Sequence, residues 1–206
     1  TLAFGMADVL LEPFGGQVLN MSVSATTKLT ALLAVGGLLG FGLASRILGK
    51  GGDPYRMVIN GAFVGLPAFA FVMLAAPLNT PALFLLGNFL IGFGAALFGH
   101  GTLTATMNRA PAEQAGLALG SWGAVQATAA GVAIAASGVI RDVVNMALQR
   151  SDTELWGVAS GYVAVYAIEI ILLMVTIAAA YPLIRTQSNR SVSETRGVES
   201  RQGSVA

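Results

Sequence analysis

The sequence predicts an all-α membrane protein of six transmembrane helices, and two observations carry that prediction. Six stretches, residues 1–20, 26–48, 57–77, 80–107, 114–148 and 157–184, are each apolar over about the length a bilayer core requires, and the loops between them are too short to fold alone. Hydrophobic residues make up 55% of the chain and charged residues 10%, against about 25% in soluble domains, so a water-soluble fold would lack the polar surface to coat itself. Residues 1–184 therefore read as one membrane bundle. Residues 185–206, rich in Ser, Arg, Glu and Gly, can bury little and are expected to form a disordered tail.

The first segment carries its charge inside the apolar run. Asp8 and Glu12 lie one helical turn apart on one face, with Gln17 a turn further on. An ionised Asp at a helix centre costs about 2.5 to 3.5 kcal/mol by insertion scales, so such residues face a wet cavity, a partner charge or a proton path. The alternative is that Asp8 sits near the cytoplasmic interface, hydrated or paired with a loop arginine. Pro13, followed by Gly15 and Gly16, removes a helix hydrogen bond and is expected to kink or break the segment. The chain starts at Thr1 without Met or a recognisable leader, which reads as a start within a longer protein.

Segment 2 holds Gly36 and Gly40, a small-residue face that lets a neighbouring helix approach. Segment 3 contains Pro67, a second candidate kink. In segment 4 the single histidine, His100, stands between Gly99 and Gly101; it either hydrogen-bonds between helices or offers a neutral imidazole as axial ligand to a ring-bound metal. Segment 5 carries Gly123, Ala127, Gly131 and Ala135 at four-residue spacing, preceded by Gly116 and Gly120. That stripe ordinarily serves packing within the bundle, and the other use is docking a partner's helix or a flat pigment. Segment 6 places Glu169 near mid-membrane with Tyr162 and Tyr166 on the same face. No basic residue lies at matching depth, which leaves Glu169 neutral or matched by a charge elsewhere in a longer protein. Trp156 and Tyr181 bracket this segment as interfacial anchors.

Alternating six helices across the bilayer collects Arg46, Lys50, Arg56, Arg109, Arg185, Arg190, Arg196 and Arg201 on one side, and Lys28, Arg141 and Arg150 on the other. The positive-inside rule puts the first set, and with it the C-terminus, in the cytoplasm. The absence of cysteine closes disulfide, thiolate-metal and thiol-nucleophile chemistry, and no metal-ligand cluster, nucleophile elbow or nucleotide loop is present. Gly92, Gly94 and Gly99 lie inside an apolar run and do not read as a phosphate loop. The net charge of +1, without basic and aromatic residues interleaved, gives no nucleic-acid footprint. The expectation is a non-enzymatic protein in contact with membrane lipid.

Two adjoining strings bear on family. Residues 5–41 read GMADVLLEPFGGQVLNMSVSATTKLTALLAVGGLLGF and residues 42–57 read GLASRILGKGGDPYRM. Together they resemble the PucC family, the bacteriochlorophyll-delivery branch of the major facilitator superfamily in phototrophic bacteria. The resemblance covers the membrane part as the C-terminal half of a twelve-helix fold, so it implies a missing N-terminal six-helix half. Gly42 to Arg46, with Lys50, Asp53 and Arg56 following, is similar to the cytoplasmic loop motif of major facilitators. Ser45 stands where transporters carry an aspartate, which argues against transporter gating through this loop. The resemblance implies an assembly factor for light-harvesting complexes in the inner, photosynthetic membrane, with light-harvesting or reaction-centre polypeptides as partners. It would deliver bacteriochlorophyll, with His100 the candidate ligand, or shepherd antenna polypeptides. A proton-coupled secondary transporter and a stoichiometric structural subunit are the alternatives.

Overall fold

The computed structural model describes residues 1–149 and 159–202. All described secondary structure is helical: α1 (Leu2–Ala7), α2 (Leu11–Gln17), α3 (Val23–Gly49), α4 (Pro54–Ala75), α5 (Pro81–Met107), α6 (Ala115–Gln149) and α7 (Ser160–Gln202), with a 3-10 turn at Ala112–Gln114. Among the described residues, five helices are long and apolar enough to cross a membrane. The protein is an all-α membrane protein, but the expected first span is two short helices rather than one.

The position of that break follows from Pro13. Without an N–H, Pro13 leaves the carbonyl of Val9 unpaired, and its ring crowds the same carbonyl. The helix accordingly stops at Asp8–Leu10, one turn before the proline, and Pro13 falls in the first turn of α2, where no donor is needed. The expectation of a break at Pro13 itself is thus corrected by one turn. By contrast, α4 continues through Pro67 without interruption.

The helix ends match ordinary capping chemistry. Ser22 caps α3, its side chain accepting from the Ala25 N–H at 3.3 Å, and Asp53 caps α4, accepting from the Tyr55 N–H at 2.8 Å. The Gly42 to Arg46 run, which resembles a loop motif, forms the last turns of α3, inside the second apolar segment. The helical backbone of α7 runs on to Gln202, where a disordered tail was expected from residue 185. A helix already nucleated in the membrane propagates by one hydrogen bond per residue fixed.

Glycine-mediated contact holds the centre together. α5 lies between α3 and α4, α4 reaches α7, α7 packs on α6, and α1 wedges between α6 and α7. Along the antiparallel α4 and α5 pair, small residues recur every seven positions. A Cβ at Gly101 would lie 2.9 Å from the Pro54 carbonyl oxygen, one at Gly94 2.9 Å from that of Gly61, and one at Gly87 2.8 Å from that of Ala68. On the other flank of α5, a Cβ at Gly92 would collide with the Leu33 carbonyl oxygen, and one at Gly36 with that of Phe89. Backbones this close maximise dispersion contacts, which in lipid replace the hydrophobic drive between helices.

The stripe on α6 behaves differently: among the described residues of this chain it packs against nothing. Gly116, Gly120, Gly123 and Gly131 have nothing within 4 Å of an added Cβ, and Ala127 and Ala135 are exposed. α6 instead meets the bundle through the face one residue round, where Ala133 and Ser137 are buried and Ala130 and Ala133 touch Gly5 of α1.

Candidate functional site

Segment 1 sets the depth of the charged groups. Phe4 packs against Phe69 and Phe98, at ring separations of 6.0 Å and 5.9 Å, and against Gly65 midway along α4, while Gly5 meets Ala130 and Ala133 midway along α6. Asp8, one turn further on, therefore lies near the middle of the membrane. That position is level with the middle of α4 and α6 and away from their ends, where the interfacial alternative would put it. Asp8 and Glu12 are both exposed in the chain. A carboxylate at that depth cannot rest against hydrocarbon, so this face of segment 1 must meet water or more protein.

A crevice of about 250 Å³ opens there between α1, α5 and α6, lined among others by Phe4, Asp8, Phe98, Gly99, Trp122 and Gln126. Trp122 Nε1 and Gln126 Nε2 both donate to the Thr102 hydroxyl, at 3.3 Å and 3.4 Å, and the Thr1 hydroxyl pairs with Gln126 Oε1. Towards the other membrane surface, the Thr30 hydroxyl donates to Glu12 Oε1 at 2.7 Å, which ties α2 to α3. Trp122, Gln126 and Thr102 were not singled out from sequence. The signal that points to Gln126 is its place as an amide within the apolar run of α6.

Behind the break the polar groups are enclosed. Tyr162, Tyr166 and Glu169 of α7 are all 0% exposed. The Tyr162 hydroxyl donates to Gln17 Oε1 at 2.7 Å, closing α7 onto the end of α2. Phe14 packs edge-on against both tyrosines, at 5.5 Å and 5.6 Å between ring centroids. The Tyr166 hydroxyl has no hydrogen-bond partner, and the Glu169 carboxyl, which faces the backbone N–H of Ala7, makes no closer hydrogen bond. The structure thus places Asp8 on the open side of segment 1 and Glu169 in the core on its other side.

Other sequence candidates lie apart from this group. His100 is half-buried, with its ring edge-on to Phe41 at 5.6 Å. Its Gly101 flank is filled by α4, whereas its Gly99 flank is open. At about 250 Å³ the crevice falls short of the roughly 300 to 1,000 Å³ of small-molecule sites and is too small for a tetrapyrrole. Arg46, Lys50, Asp53 and Arg56 cluster at the end of α3 and start of α4, remote from Asp8. Among the described residues no group of three or more His, Asp or Glu side chains could hold a metal ion. Tyr181 is exposed at the end of the last span, and Trp156 lies outside the described residues.

The family model described as PUCC protein matches residues 1–188. The chain belongs to that family. It is 55% identical over 186 residues to Protein PucC of Cereibacter sphaeroides, an alignment covering 90% of this chain and 40% of that protein. Protein PucC of Rhodovulum sulfidophilum is 62% identical over 146 residues, 71% of this chain and 32% of that protein. A third relative, an uncharacterized protein in the puhA-bchM intergenic region of Rhodobacter capsulatus, is 44% identical over 189 residues, covering 91% of this chain and 40% of that protein. The chain thus spans about two-fifths or less of the length of these PucC-family relatives. No solved structure matches it.

Proposed function

We propose that this chain is the C-terminal membrane part of an assembly factor for light-harvesting complexes, acting by binding and release in the inner membrane of a phototrophic bacterium. The observation that carries the reading is family membership across residues 1–188, joined to a small-residue face of α6 that the rest of the chain leaves uncovered. That face suits the close approach of a single-span antenna helix. Bacteriochlorophyll, if carried, would rest its ring on the open Gly99 flank beside His100, which would supply the axial nitrogen. The basic ends would lie in the cytoplasm.

The test uses the full-length protein in a deletion strain, with antenna absorbance as readout. Gly131→Leu is expected to leave the protein present in the membrane while antenna absorbance falls at least severalfold. Normal antenna levels with Gly131→Leu would contradict helix docking. Pigment co-purifying with the wild type and lost with His100→Ala would support delivery, and a colourless preparation would count against it.

A second reading, a proton-coupled transporter, draws on one observation: Asp8 and Glu169 flank a broken helix near mid-membrane, one open and one enclosed. Flux into proteoliposomes that disappears with Glu169→Gln would favour it over assembly.

A further inference from the structure

Four spans reach one membrane surface together: α3 ends at Gly49, α4 begins at Pro54, α5 ends at Met107 and the apolar run of α7 ends at Ile184. Between these ends lies a cleft of about 730 Å³, lined among others by Leu48, Gly51, Arg56, Thr104, Asn108 and Ile184. Its volume is that of a small-molecule site. Part of its wall is bare backbone, since a side chain at Gly49 or Gly51 would meet nothing within 4 Å. Gly51 holds φ at 84°, a turn that glycine adopts without strain.

The charge around the cleft is one-sided. Arg46 lies in the last turn of α3, Lys50 is its C-cap, Arg56 lines the cleft, and Arg109 follows Asn108 and rests over the Tyr55 ring at 5.4 Å. All four cations are exposed. Asp53, the acid of the lining, is engaged as the α4 cap and lies 3.9 Å from Arg56 Nε. Leu48 and Ile184 supply apolar wall at the level where the spans enter lipid.

We propose that this cleft binds the phosphate-bearing headgroup of an anionic phospholipid, with the phosphate among Arg56, Lys50 and Arg109 and the acyl chains leaving past Leu48 and Ile184. A free phosphate would satisfy the cations but leave the apolar wall without a partner. Each Lys or Arg near an anionic headgroup contributes about a fivefold gain in binding.

The experiment measures retention of phosphatidylglycerol and phosphatidylcholine by the full-length protein in detergent, by native mass spectrometry. Phosphatidylglycerol is expected to be preferred, to fall about fivefold with Arg56→Gln and with Arg109→Gln, and to be unchanged by Lys28→Gln at the opposite end of α3. A measurement on the wild type alone keeps the test independent of variant folding: retention should drop as salt shortens the Debye length from about 10 Å to about 3 Å. Equal retention of the two lipids, a Lys28→Gln loss as large as that of Arg56→Gln, salt-insensitive retention, or full displacement by equimolar inorganic phosphate would each overturn the proposal.

Discussion

Gly92→Leu abolishes accumulation of the folded bundle, whereas Gly42→Leu leaves it unchanged. At Gly92 even a methyl carbon would collide with the Leu33 carbonyl oxygen, and the atom it meets is backbone, which cannot rotate away. The helices must separate by more than an ångström, losing contacts along the whole α3 and α5 seam. Overpacking costs about 1 to 3 kcal/mol where side chains can shift, and more where they cannot, against a total stability of about 5 to 15 kcal/mol. Gly42, on the partner helix α3, has nothing within 4 Å and is exposed, so it controls for a leucine placed outside that seam. Membrane levels of the two variants of the full-length protein, compared by immunoblot and by size exclusion in detergent, decide the matter. Equal levels would mean that the close α3 and α5 contact is not formed.

Glu169→Leu raises stability and lowers function. The carboxyl has only a weak contact with the Ala7 backbone N–H, and a buried polar group so poorly partnered costs about 1 to 3 kcal/mol. Leucine fills comparable volume without that cost, and replacing buried ionisable groups with apolar ones is often neutral or stabilising. The unfolding midpoint in detergent should therefore rise while antenna assembly, or flux, declines. A variant less stable than the wild type would show that the carboxyl makes a structural hydrogen bond. A variant both stable and fully active would remove Glu169 from the functional group.

Much of this fold is legible in the sequence because lipid imposes a crude rule: an apolar run of sufficient length is a helix. The five long helices obey it closely, as in 80–107 against Pro81–Met107. The break in segment 1 is legible too, but it falls where the proline's missing bond would have ended rather than at the proline. The direction that the α6 stripe faces is not legible, because periodicity identifies a face without naming its neighbour. The seven-residue spacing of Gly87, Gly94 and Gly101 is visible in the sequence, and so is that of Pro54, Gly61 and Ala68. Only the folded chain shows that the two series oppose each other. The site divides in the same way. Asp8, Glu12 and Glu169 stand out as charges in apolar runs, yet which are enclosed and which are open depends on packing between segments 100 residues or more apart.

The Asp8 face of segment 1, near mid-membrane, meets water or protein and never hydrocarbon. The chain has no cysteine, so a thiol placed in it is unique within these 206 residues. In the full-length protein in native membranes, Asp8→Cys should react with a small charged methanethiosulfonate, while Leu38→Cys on the exposed outer face of α3 should react only with a lipid-soluble maleimide. Reaction of Asp8→Cys with the lipid-soluble reagent alone would contradict the account.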